Sequence, residues 1–256
     1  MTTINKIENQ LKWKPTVLLG IAIYLGYLAV FFTTWTINGV DYSRIGENVE
    51  TTKLWYALPT LFGSLFLVVV ISVLGWWRIV LFDKTKAGPK WAWILPIAMI
   101  LLIIYSFSQL DTTKLSAELL LWSTLGAIGV GFGEEMITRG SMVAGLRSQF
   151  TEGKVWLYST LLFSALHIPN VIFGLPLAAM PIQVLLTFIM GSGLYIIRRI
   201  SGTLIIPMLL HGLWDSSVFL TESTGTESSP VTVIVYPLAL VCVIAVVHKN
   251  WQAKVS

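Results

Sequence analysis

Glu134 and Glu135 stand side by side in GFGEEMITRG, residues 131–140, and Arg139 follows four positions after Glu135. Two further stretches use the same spacing. FSALHIPN sets His167 four positions after Phe163, and HGLWDSS sets Asp215 four positions after His211. All three lie in runs apolar enough for a lipid interior. A charge at the bilayer centre costs roughly 2.5–3.5 kcal/mol even on insertion scales, so these side chains must face inward and meet. Glu135 and Arg139 share a helix face and can pair as a brace. Glu134 points about 100° away from Glu135, which leaves it free for chemistry or a ligand. An Asp one turn from a His can orient the ring, fix its tautomer or add an oxygen to a site. A spare carboxylate with two imidazoles is equipment for general acid–base catalysis, and burial among charges is how such groups are tuned. The bland alternative is a buried polar network that only specifies helix packing.

The elements that must carry these residues are membrane helices. Of 256 residues, 55% are hydrophobic and only 12% charged, and the mean hydropathy is +0.77. Soluble domains carry roughly 25% charged residues. The expected fold is therefore an all-α, polytopic helix bundle. A spanning helix needs about 20 apolar residues, which gives eight spans near 16–36, 54–75, 91–109, 117–138, 155–173, 181–197, 203–220 and 230–247. The apolar run from Val17 to Trp35 is too long for a signal peptide and reads as the first span. Trp35, Trp55, Trp76, Trp77, Trp91 and Trp93 fall near span ends, where amphipathic rings favour the interface. Gly129, Gly131 and Gly133 allow a neighbouring backbone to come close.

Positive charge tests that count. With a cytoplasmic N-terminus, the inner segments hold 14 Lys and Arg, from Lys6 to Lys254, and the outer ones hold only Arg44, Lys53 and Lys114. Both termini are expected inside. The net charge of +4 then sets topology and does not signal nucleic acid. Cys242 is the single cysteine, which excludes an internal disulfide and a cysteine-based zinc module. His248 sits at the end of the last span, an interfacial position.

Taken in order, EExxxR, FxxxH and HxxxD resemble the CPBP family, also called Abi, which includes the type II CAAX prenyl endopeptidases and bacterial proteins linked to bacteriocin processing or immunity. Residues 115–220 carry the resemblance as a catalytic core. Residues 1–114 supply spans without motifs, and 221–256 the last span and tail. The resemblance implies an intramembrane endopeptidase. Glu134 and His167 would activate a water, His211 and Asp215 would stabilise the oxyanion, and Glu135, Arg139 and Phe163 would support them. Asp215 departs from the Asn of the family's other version: an ionised Asp cannot donate to an oxyanion, and would orient His211, be protonated or ligate a metal. The family is commonly called a metalloprotease family, and Glu134, His167 and His211 are legitimate zinc ligands with a fourth position open. A metal-free glutamate and histidine mechanism is the other possibility.

Other intramembrane protease types lack their marks here: there is no HExxH and no GxGD. GSG at 191–193 reads as a close packing contact. An ion-coupled transporter would use similar residues, but no repeated half-structure or matched pair of broken helices is evident. A non-catalytic binding, scaffold or immunity protein is the main rival. The partners implied are membrane lipids and a membrane-associated peptide or protein, and the setting a bacterial plasma membrane.

Overall fold

The structure is a computed structural model that describes residues 11–226 and 229–254. Lys6, counted among the inner charges, lies outside them. The fold is all helical: the described residues contain no strand, only an isolated bridge between Phe82 and Thr203. The helices are α1 (Val17–Ile37), α2 (Val49–Leu74), α3 (Trp77–Leu81), α4 (Ile94–Ser108), α5 (Ala117–Glu135), α6 (Glu152–Ala165), α7 (Met180–Ser201), α8 (Ile205–Ser223) and α9 (Val235–Asn250). Helix α5 continues without a break through a π-helical stretch, Met136–Met142, to a last turn at Val143–Leu146.

Local sequence sets these boundaries. Thr16 caps α1 by accepting from the Leu19 amide at 3.2 Å, and Ser116 does the same for α5 with Leu119 at 3.0 Å. Such caps satisfy amides that a helix start leaves unpaired. Gly75 and Gly202 end α2 and α7 at φ of 70° and 78°, a left-handed conformation that costs glycine little.

Six helical segments are long and apolar enough to cross a membrane: Val17–Ile37, Val49–Leu74, Lys90–Ser108, Glu152–Phe173, Met180–Ser201 and Pro230–Asn250. Leu65, Val69 and Val73 on α2, and Ile97, Leu101 and Ile104 on α4, face outward. Glu135, Arg139 and His211 are buried. Apolar outside and charged inside is the reverse of a soluble protein, and this is a multi-pass membrane protein. Of the three helices beyond these six, α3 is a short helix of five residues, and α5 and α8 are the ones whose apolar runs are interrupted by the site's Glu, His and Asp.

Two expectations change. Trp35 and Trp76 are buried, at 4% and 0% exposure, whereas Trp91 and Trp93 remain exposed. The buried indoles serve as backbone caps: Trp35 Nε1 donates to the Trp55 carbonyl and Trp76 Nε1 to that of Trp13, both at 2.7 Å. Span six was expected to stop at 197, but α7 runs to Ser201 and carries Arg198 and Arg199 inside the protein.

Those arginines join a charge network at one end of the bundle. Asp83 meets Arg147 Nη1 and Arg198 Nη2, each at 2.8 Å, and Arg199. Glu152 meets Arg147 at 3.0 Å, Arg199 at 2.7 Å and the Tyr195 hydroxyl. The network ties the chain after α3 to the α5–α6 connection and the end of α7. Burial alone would push the Asp83 carboxyl up, but Arg147, Arg198 and Arg199 outweigh it and hold it well below the usual carboxylate range. An unfolded Asp titrates near pH ~3.9, so folded Asp83 binds fewer protons than the unfolded chain in acid. Its stabilisation is complete above about pH 4 and fades as the pH falls further. Thermal melts between about pH 6 and pH 3 are expected to show a steeper acid loss for wild type than for Asp83→Asn.

Candidate active site

The contact between α5 and α8 sets the site. A Cβ added at Gly131 would strike the Met208 carbonyl and come within 2.8 Å of the Gly212 amide; one added at Gly212 would meet the Ala127 carbonyl at 2.7 Å. Two glycines thus bring the backbones together, and the residues just beyond them, Glu134, Glu135 and His211, become neighbours. Beyond Glu135 the helix widens into its π-helical stretch, a departure often found at functional sites.

Glu135 sits at the centre. Its Oε1 accepts from Arg139 Nη1 at 2.9 Å and faces His211 Nδ1 at 3.1 Å. A carboxylate only accepts, so the second bond puts a proton on Nδ1. Arg139 and Glu135 are fully buried and His211 is nearly so. The Arg139 side chain also binds the Thr138 hydroxyl at 2.9 Å and lies flat over the Phe163 ring, 3.8 Å from its centroid. Phe163 touches three parts of the site: the rings of His167 and His211 each meet it edge-on at 5.6 Å. Gly191 makes this possible, since a Cβ there would strike Arg139 and approach Phe163 to 2.6 Å. The GSG segment is indeed a packing contact.

Glu134 behaves differently. Its side chain is 15% exposed, its Oε2 lies 4.0 Å from His211 Nε2, and it takes no part in the Glu135–Arg139 pair. Asp215 Oδ2 lies 3.7 Å from the same nitrogen, with a third of its side chain exposed. That is beyond hydrogen-bond range. The residue that orients His211 through Nδ1 is therefore Glu135, not Asp215 as the four-residue spacing suggested. The spacing sees partners on one helix only, and Glu135 reaches across from another.

His167 ends α6. Its Nδ1 lies 3.2 Å from the Phe163 carbonyl, which can only accept, so Nδ1 carries the proton and Nε2 keeps a lone pair. His167, Glu134 and Asp215 are half-buried, while Glu135, Arg139, Phe163 and His211 form the buried layer behind them. Among the described residues, no group of three or more His, Cys, Asp and Glu side chains is placed to hold a metal ion. Glu134, His167 and His211 are not drawn together into such a group in this arrangement.

The motif-free helices also reach the site. On α1, the Tyr24 hydroxyl donates to the Leu162 carbonyl at 2.8 Å, next to Phe163, and a Cβ at Gly133, the residue before Glu134, would come within 2.9 Å of the Tyr27 hydroxyl. Spacing within one helix gave no sign of them. Their span also carries Phe31, Phe32, Trp35 and three threonines, so two tyrosines on it did not stand out.

Comparison with protein families gives one match: residues 116–217 fit the family described as type II CAAX prenyl endopeptidase Rce1-like. Comparisons with curated proteins and with solved structures gave no match. The matched segment contains Glu134, Glu135, Arg139, Phe163, His167, His211 and Asp215. The segment that assembles the site thus matches the Rce1-like family of the CAAX endopeptidase type, in a multi-pass membrane protein, a similarity consistent with the CPBP proteases that its three motifs resemble.

Proposed function

We propose that this protein is an intramembrane endopeptidase that hydrolyses a peptide bond in a membrane-associated peptide or protein with a water activated by Glu134 and His167. One observation carries the reading. Glu135 holds Arg139 and His211 together, while its neighbour Glu134 stays outside that hydrogen-bonded cluster, half-buried with its Oε2 4.0 Å from His211 Nε2. The two carboxylates of the doublet have different jobs.

In this reading Glu134 removes a proton from water, and the hydroxide adds to the peptide carbonyl carbon. His167 Nε2 accepts a hydrogen bond from the same water and orients it. His211, held through Nδ1 by Glu135, acts in this reading as a doubly protonated imidazolium and presents Nε2–H to the developing oxyanion, a donor fixed in advance where charge appears. Collapse breaks the C–N bond, and the proton held by Glu134 passes to the leaving amine. Eight spans with both termini cytoplasmic, and a bacterial plasma membrane, complete the proposal.

Asp215 faces Nε2 from outside hydrogen-bond range and is partly exposed, so its charge is not required to hold His211. Asp215→Asn is expected to keep hydrolysis within about tenfold of wild type. Asp215→Leu, which removes the polar group, is expected to lose more. The assay is hydrolysis of membrane-associated peptides by the purified chain in lipid vesicles, with both product termini read by mass spectrometry. The same assay after chelation, with metal content measured, tests the zinc version. If Asp215→Asn is as inactive as Asp215→Leu, the Asp215 charge is required and its assignment as dispensable fails.

A further inference from the structure

The connection from α6 to α7, residues 168–179, reads IPNVIFGLPLAA. Asn170 is its one polar side chain, and it is also the one residue in it that is buried; Ile168, Ile172 and Leu177 face outward. An amide turned inward from an apolar connection needs partners there. Asn170 has them on two sides. Its backbone amide donates to the His167 carbonyl at 3.2 Å. Its side-chain Nδ2 donates to Gln183 Oε1 on α7 at 3.1 Å, and Gln183 Nε2 donates to the Tyr42 hydroxyl at 2.6 Å. A polar bridge thus runs from the turn after His167, across α7, to the connection between α1 and α2.

The far end of this bridge is itself held. Trp35 on α1 meets the Tyr42 ring edge-on at 6.0 Å and the Phe173 ring at 5.0 Å, and Phe173 stacks on Phe32 at 5.6 Å. Hydrogen bonds through Asn170 and ring contacts through Phe173 therefore tie the same short turn to the same neighbours. His167 stands where such ties matter. Helix α6 ends at Ala165, and the chain tightens into a 3₁₀ turn over Ile168–Phe173, whose hydrogen-bond geometry is poorer than that of an α-helix. A shift of that turn would swing the imidazole at its start.

We propose that Gln183 is a positioning residue for His167: by joining Asn170 to Tyr42 it fixes the turn that follows the imidazole, and with it the direction of Nε2. This rests on the reading of His167 as the residue that orients the attacking water. It gives α7 and the α1–α2 connection, neither of which carries one of the three motifs, a part in the site. The scale of the effect is set by geometry, since a misplacement of about 1 Å can cost about 10²-fold in rate.

The test uses the purified full chain in lipid nanodiscs with isotope-labelled histidine, read by NMR. The chain has three histidines, His167, His211 and His248, and the His167 ring signals are those lost in His167→Gln. Gln183→Leu removes both bonds and keeps a side chain of similar size. It is expected to move the His167 ring signals while those of His248 stay in place, and to lower kcat by about tenfold with KM within about twofold. Gln183→Glu is expected to restore both, because a carboxylate accepts from Asn170 Nδ2 and from the Tyr42 O–H. If Gln183→Leu does not fold, Tyr42→Phe, which removes the far bond alone, is expected to move the same signals. His167 signals that stay in place in the folded variant overturn the proposal, as does a Gln183→Glu chain no better than Gln183→Leu. Signals that move and recover in chains with no hydrolysis support the link from Gln183 to His167 and count against the endopeptidase reading instead.

Discussion

Glu134→Gln is expected to lower peptide hydrolysis by about 10²–10⁴-fold while leaving the melting temperature of the protein unchanged. The side chain is half-buried and belongs to no hydrogen-bonded ion pair; its nearest charged partner is His211 at 4.0 Å. Gln keeps the shape and a polar end, so packing against α8 is retained. What disappears is the ability to take a proton from water. Loss confined to kcat with an intact fold is the signature of a base. If Glu134→Gln hydrolyses peptide at the wild-type rate, the base is another residue and the division of labour within the doublet is wrong.

The opposite pattern is expected for Arg139→Met. Arg139 and Glu135 are both fully buried and joined at 2.9 Å, and the guanidinium also covers Phe163. Removing the arginine leaves a buried carboxylate with only His211 for company. Breaking one partner of a buried pair costs about 3–5 kcal/mol, a large fraction of the stability of most proteins. The variant is expected to unfold or aggregate on extraction into detergent, which size-exclusion profiles and thermal melts would record. A second change, Glu135→Gln in the Arg139→Met background, removes the uncompensated charge and is expected to recover part of the loss. An Arg139→Met protein as stable as wild type would mean that the pair is not a brace.

The chemistry of this chain is legible in its sequence for a physical reason. Lipid tolerates few charges, so each one that remains marks a place where helices must face each other. The spacing of Glu135 and Arg139 gave their pairing, because both lie on one helix. Contacts between helices were harder. The bond from Glu135 to His211 joins residues on α5 and α8, and nothing in either local pattern specifies it; spacing pointed to Asp215 instead. Gly131 was readable as a close-approach residue, but only the packed helices show that Gly212 is what it faces. Arg147, Arg198 and Arg199 were read as topological charges because their number is visible in the sequence and their burial is not. In the structure they share Asp83 and Glu152 inside the protein.

The central claim is that this protein cuts peptide bonds. The most direct measurement compares peptides and membrane-protein termini from cells carrying wild type or Glu134→Gln at matched protein levels. The account predicts at least one new terminus that is present with wild type and missing with the variant, and that the purified chain reproduces in lipid vesicles. Identical termini in both cells, with the biological phenotype retained by Glu134→Gln, would contradict it and leave a membrane binding protein in its place.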